Sequence, residues 1–162
     1  MLPMGRKPIK SESAVRPSGW TFFRIGTGLL FVVSGFEKLI GPYQNFQFVI
    51  EQYRVIDGPQ AAMAAQVLPW AELIAGAFFM LGLWTRISGA AVLGMFGIFL
   101  GAVGQALLRK LPLDECGCFG DLISIPLPVV FGMDLTMAAL TAAGLFKRPG
   151  VRAASLDAFY DR

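Results

Sequence analysis

Four apolar stretches, each near the length a helix needs to cross a lipid bilayer, constrain this chain more than any other feature. They fall at about residues 20–40, 67–84, 87–108 and 126–146, and a hydrocarbon core of roughly 30 Å takes about 20 helical residues. Peptide groups in lipid find no water, so each stretch must close its hydrogen bonds within itself as a helix. The mean hydropathy of +0.60 agrees. So does a charged fraction of 15%, against roughly 25% in soluble domains. The predicted fold is all-α: an integral membrane four-helix bundle in one domain, residues 20–147, between a basic tail at 1–19 and a second tail at 148–162.

The first stretch follows Arg6, Lys7, Lys10 and Arg16. It is too long for a signal-peptide core and lacks a small-residue cleavage site, so it reads as a retained span. Orientation follows from Lys and Arg. With the N-terminus inside, the inner side holds Arg6, Lys7, Lys10, Arg16, Arg86, Lys147, Arg148, Arg152 and Arg162; the outer side holds only Lys38, Arg54, Arg109 and Lys110. Arg24, just within the first span, is expected to snorkel to the inner surface. Both termini are therefore expected in the cytoplasm of a multi-pass membrane protein. The basic residues flank apolar segments and form no stripe, so nucleic acid is not an expected partner.

The connections are unequal. Spans two and three meet at Trp84-Thr85-Arg86, a tight antiparallel turn. The connection at about 41–60 carries Tyr43, Phe46, Val49, Ile50 and Tyr53 on one helical face, with Gln44, Gln47, Glu51 and Arg54 on the other. That pattern predicts a short amphipathic helix lying in the interface, closed by Gly58-Pro59. Ala90, Gly94, Gly97, Gly101 and Gly104 share one face of span three, and such small residues predict tight packing within the bundle, with a dimer or partner interface as the other reading.

Glu37, Lys38, Glu72 and Asp134 lie close to or inside apolar runs. An isolated charge at mid-bilayer costs at least ~2.5–3.5 kcal/mol, so such groups pair or line a polar cavity. In the expected topology all four lie in the outer part of the membrane. Lys38 and Glu72 read as a pair locking spans one and two. Alternatively Lys38, Glu72 and Asp134 form a polar floor that supplies or accepts protons for chemistry above it.

That chemistry is suggested by Cys116-Gly117-Cys118, the only two cysteines, set in the polar break Asp114-Glu115-Cys116-Gly117-Cys118-Phe119-Gly120-Asp121 between spans three and four. Pro112 and the pair Pro126/Pro128 bracket it. Gly117 allows the sharp turn that a bridge across one residue requires. A disulfide in so small a ring is strained and exchange-active more than a staple, and on the outer side it persists. Cys116 and Cys118 are thus a candidate redox pair. Two thiolates also suit Cu(I), and a structural role in a larger membrane complex is the third reading. The chain has no histidine, which excludes His-ligated metal or haem sites and His-based triads. No metal site closed by this chain alone and no quinone or flavin motif is evident, so no cofactor is expected from the sequence.

Gly35-Phe36-Glu37-Lys38-Leu39, Pro69-Trp70-Ala71-Glu72-Leu73-Ile74-Ala75-Gly76 and Leu81-Gly82-Leu83-Trp84-Thr85-Arg86 resemble the DoxX-like four-helix membrane proteins. Cys116-Gly117-Cys118-Phe119-Gly120 before span four resembles their methylamine utilisation MauE branch. The resemblance covers about residues 18–147. It implies an inner-membrane accessory protein that serves maturation of a periplasmic enzyme such as methylamine dehydrogenase, whose small subunit is rich in disulfides. It also implies a thiol–disulfide exchange role for the cysteine pair. The implied partners are the lipid bilayer, a periplasmic thioredoxin-like or disulfide-containing protein, and other subunits of a membrane complex.

Overall fold

The computed structural model describes residues 19–111 and 126–147. They form five helices: α1 (Gly19–Ile40), α2 (Tyr43–Gln52), α3 (Gly58–Leu81), α4 (Thr85–Leu108) and α5 (Leu127–Lys147). Among the described residues α3, α4 and α5 are long and apolar enough to cross a membrane. At 1.5 Å per residue the 24 residues of α3 or α4 rise about 36 Å, enough for the hydrocarbon core. α1, with 22 residues, carries Arg24, Glu37 and Lys38 and lies antiparallel along α3. The arrangement is inside-out relative to a soluble bundle. Arg24, Lys38, Glu72, Asp134 and Thr141 are buried, whereas Phe22, Phe36, Val67, Ile87, Ile98 and Phe146 face outward. A soluble monomer rarely exposes so much contiguous apolar surface; a bilayer covers it.

The second span begins at Gly58, not near residue 67 as the sequence reading expects, and this corrects that boundary. Pro69 reads as a helix start, but it lies inside α3 and is fully buried. Membrane helices tolerate an interior proline where neighbouring helices cover the freed backbone. The true start is Asp57, in extended conformation, followed by Gly58 and a proline in the first turn, where its missing N–H costs nothing. Gly58-Pro59 therefore opens α3 rather than closing α2. The Glu51 carboxylate accepts a hydrogen bond from the Gly58 N–H at 3.2 Å and one from the Gln47 amide at 2.9 Å.

The α3–α4 turn falls where expected. Gly82 adopts φ +70°, and the N–H groups of Gly82 and Leu83 donate to the carbonyls of Phe79 and Phe78 at 3.2 and 2.9 Å. This is a Schellman ending, which glycine permits at no steric cost. The Ser88 hydroxyl then donates to the Leu83 and Trp84 carbonyls.

α1 packs most extensively on α3, and α4 on α5. The α1–α3 contact is backbone to backbone. A Cβ on Gly28 would lie 2.7 Å from the Gly76 carbonyl oxygen, one on Gly35 2.7 Å from the Pro69 carbonyl oxygen, and one on Gly76 2.7 Å from Phe31 Cβ. Small residues on facing helices permit this approach. At the middle of the bundle Phe31, Phe79, Val92, Met95 and Phe96 form one core, with Phe31 edge-on to Phe96 at 5.0 Å. At the end bearing α2, Tyr53, Val103, Ala106, Leu127 and Val130 form another.

Two further expectations are corrected. Arg24 does not snorkel: it is 2% exposed, because it shares the α3-facing stripe of α1 with Thr21, Thr27, Gly28 and Phe31. The glycine face of α4 is not a packing seam within the described bundle. A Cβ added at Gly94, Gly97 or Gly101 would meet open space, and only at Gly104 does a neighbour, Phe131, approach to 3.2 Å. The close seam belongs to α1 and α3.

Gly76→Val is expected to destabilise by about 1–3 kcal/mol through overpacking, read as a lower thermal unfolding midpoint in detergent. Gly97→Ala is expected to hold or raise that midpoint, because alanine is the better helix former by ~1 kcal/mol.

Candidate functional site

Two helices bring one polar cluster together, and two more cover it. Lys38, on the last turn of α1, donates from Nζ to Glu72 Oε1 and Oε2 of α3, both at 2.8 Å, and to Ser34 Oγ one turn back at 2.9 Å. Ser34 Oγ donates in turn to Glu72 Oε2 at 3.0 Å. The side chains of Lys38 and Glu72 are only 3% and 0% exposed. The i, i+4 spacing of Ser34 and Lys38 puts both on the face that meets α3. Two rings complete the enclosure: Nζ stands 4.9 Å from the Phe46 centroid of α2 and 5.7 Å from the Phe99 centroid of α4. An ammonium over an aromatic face is favourable, more so where water is excluded.

Asp134 belongs to a neighbouring site. It is 7% exposed and shares with Ser34, Phe31 and Phe99 the lining of a small cavity of about 40 Å³. The structure thus brings Lys38 and Glu72 into direct contact and sets Asp134 across that space. Glu37 is half-buried. Cys116, Gly117 and Cys118 lie outside the described residues, as do both tails.

A larger cavity of about 450 Å³ opens between α2, α3 and α4. Near the turn these two long helices touch through Phe79, Gly89 and Val92. Towards the α2 end Leu68 of α3 and Gly97 and Gly101 of α4 border the space instead, and α2 roofs it with Phe46 and Ile50. The amphipathic helix expected at the interface therefore turns its apolar face onto α3 and this cavity. Lys38 reaches the cavity wall, whereas Glu72 and Ser34 do not line it.

Tyr53, just after α2, ties these parts together. Its ring packs against Val103, Ala106, Leu127 and Val130, and Leu111 joins the same cluster. The Gln105 amide donates to the Tyr53 carbonyl at 3.1 Å. Burial, with the Asp134 carboxylate second, pushes the Tyr53 phenol from 10.0 up to about 12. Sequence reasoning gave Ser34, Phe46, Phe99, Tyr53 and Gln105 no part in the site. The spacing of Ser34 ahead of Lys38 was a legible signal; the convergence of the others depends on helix packing.

These features define an all-α, multi-pass membrane protein with a buried ion pair and an apolar cavity at the α2 end. The chain belongs to the MauE family: the family model described as methylamine utilisation protein MauE matches residues 17–147. Methylamine utilization protein MauE of Paracoccus versutus is 33% identical over 126 residues, covering 75% of this chain and 67% of that protein. No solved structure matches the chain.

Glu72→Gln is expected to cost about 3–5 kcal/mol, because it leaves a buried ammonium without its anion. The double variant Lys38→Met/Glu72→Met is expected to recover most of that loss, in a double-mutant cycle of unfolding midpoints. The Tyr53 phenol is favoured in its neutral form, so its stabilising contribution is whole below pH 10 and is lost as pH rises through about 12. Ultraviolet titration of tyrosinate should show a component near pH 12 that Tyr53→Phe deletes.

Proposed function

We propose that this protein serves methylamine utilisation as an accessory of the inner membrane, and that Cys116 and Cys118 exchange a disulfide with a periplasmic partner. The observation that carries the reading is the family match over residues 17–147, a span that takes in both cysteines. Helix packing supports it. Leu111 and Leu127, on either side of the cysteine segment, pack on the same Tyr53 cluster, so the segment leaves and rejoins the bundle at its α2 end. The N-terminus of α1, the α3–α4 turn with Arg86 and the C-terminus of α5 lie at the opposite end. By the excess of Lys and Arg there, that end faces the cytoplasm.

In the exchange, a thiolate of the partner attacks one sulfur of the Cys116–Cys118 bridge and displaces the other as a thiolate. The partner's second thiolate then attacks the mixed disulfide. The partner gains a disulfide, and Cys116 and Cys118 are left reduced, holding the two electrons and, after protonation, the two protons the partner lost. A thioredoxin-like carrier or a disulfide-rich periplasmic enzyme has the required chemistry. In the reverse direction, the remaining thiolate of a single-cysteine variant attacks the oxidised partner's disulfide and displaces one partner sulfur as a thiolate; with no second cysteine on this chain to resolve it, the mixed bond persists.

Cys118→Ser or Cys116→Ser is expected to accumulate a covalent adduct with the partner, seen on non-reducing gels and released by reductant. The double variant is expected to abolish methylamine-dependent growth in a host lacking its own MauE-family protein. Full growth with the double variant, together with no adduct from either single variant, would overturn the exchange reading.

A further inference from the structure

We propose that the cavity between α2, α3 and α4 binds a lipid-soluble quinone. The inference deepens the exchange reading and rests on it for the ligand's role, while the binding site stands on geometry.

The volume of about 450 Å³ falls within the ~300–1,000 Å³ usual for small-molecule sites. Its walls select the ligand's character. Phe46, Tyr53 and Phe99 supply three aromatic surfaces, and Gly97 and Gly101 supply a floor without side chains. A Cβ on either glycine would meet open space, so the hollow in that wall comes from the missing side chains and not from a neighbouring helix. A flat ring fits between such a floor and aromatic walls, and an aliphatic tail suits the surrounding Ile and Leu.

The charge pattern narrows the class further. Lys38 is neutralised by Glu72, so the wall offers no net charge to offset the cost of burying an anion. A fatty-acid carboxylate or a phosphate is therefore disfavoured. Lys38 spends its three N–H bonds on Glu72 and Ser34, so the hydrogen-bond donor in the lining is the second amide N–H of Gln105, whose first goes to the Tyr53 carbonyl. A neutral molecule with an acceptor oxygen is favoured there. A carbonyl-bearing ring on an apolar tail meets all these conditions.

Such a ligand also fills a chemical gap. The chain has two cysteines, so no second internal pair can take electrons from the first. When the dithiol is reoxidised, two S–H bonds break, one S–S bond forms, and two electrons and two protons leave. A quinone accepts both pairs and becomes the hydroquinone.

The test uses the full chain in lipid nanodiscs with decyl-ubiquinone as the probe, its binding followed by equilibrium titration against empty nanodiscs. Saturable binding is expected, weakened at least tenfold in Gly101→Leu and in Gly97→Leu, whose unfolding midpoints check that they fold. The double Cys→Ser variant is expected to bind like the wild type, so failure of thiol exchange and failure of this site are separate results. Binding that does not saturate, that is unchanged in both leucine variants, or that undecane displaces as well as unlabelled quinone would each overturn the proposal.

Discussion

An ammonium and a carboxylate 2.8 Å apart, sealed from solvent between α1 and α3, are the contact on which the α2 end of this protein depends. Neither charge alone is tolerable at that depth in a bilayer. Together, with Ser34 bridging them and two aromatic faces around the ammonium, they cancel one another's cost. The same place on the helices is also one of their close backbone approaches. Gly35 lies one turn before Lys38, and a Cβ there would come within 3.1 Å of Glu72 Cβ. Without the glycine, α1 would stand away from α3 and the side chains would have to span a wider gap. The ion pair and the glycine seam are thus one device that sets the register of α1 on α3.

With α3 held by α1, and α4 held by α5, the two central helices are joined at the Gly82 turn and separate towards α2. The space between them is kept open by small residues and closed over by α2. Phe99 stands at the boundary of both cavities, beside Lys38 on one side and in the wall shared with Asp134 on the other. Tyr53 connects this polar interior to the ends of the cysteine segment through Leu111 and Leu127. Every candidate functional group within the described residues therefore gathers at one end of the molecule, and the opposite end carries the α3–α4 turn, the N-terminus of α1 and the C-terminus of α5.

The helices themselves were legible because burial in lipid demands long unbroken apolar runs. The Lys38–Glu72 pair was legible too, since two opposite charges inside neighbouring spans have few other partners. The errors have one cause. Pro69, Arg24 and the α4 glycines were each read from their own segment, where proline marks a start, arginine seeks water and glycines mark a seam. Neighbouring helices reverse each reading. Cover from α1 lets Pro69 sit mid-helix, the α3-facing stripe takes Arg24 inward, and no helix among the described residues lies against Gly94, Gly97 and Gly101.

The order of polar and apolar residues by itself determined that this chain lives in a membrane as an all-α bundle. It also offered the cysteine pair and the charged residues as candidates for chemistry, because hydrophobic length and residue type act locally. Which helix faces which, and so the cavity beside Lys38 and the packing of Tyr53 with Leu111 and Leu127, was decided only in the tertiary structure. Those relations arise from contacts between residues far apart in the chain, and no periodicity within one segment encodes its neighbour.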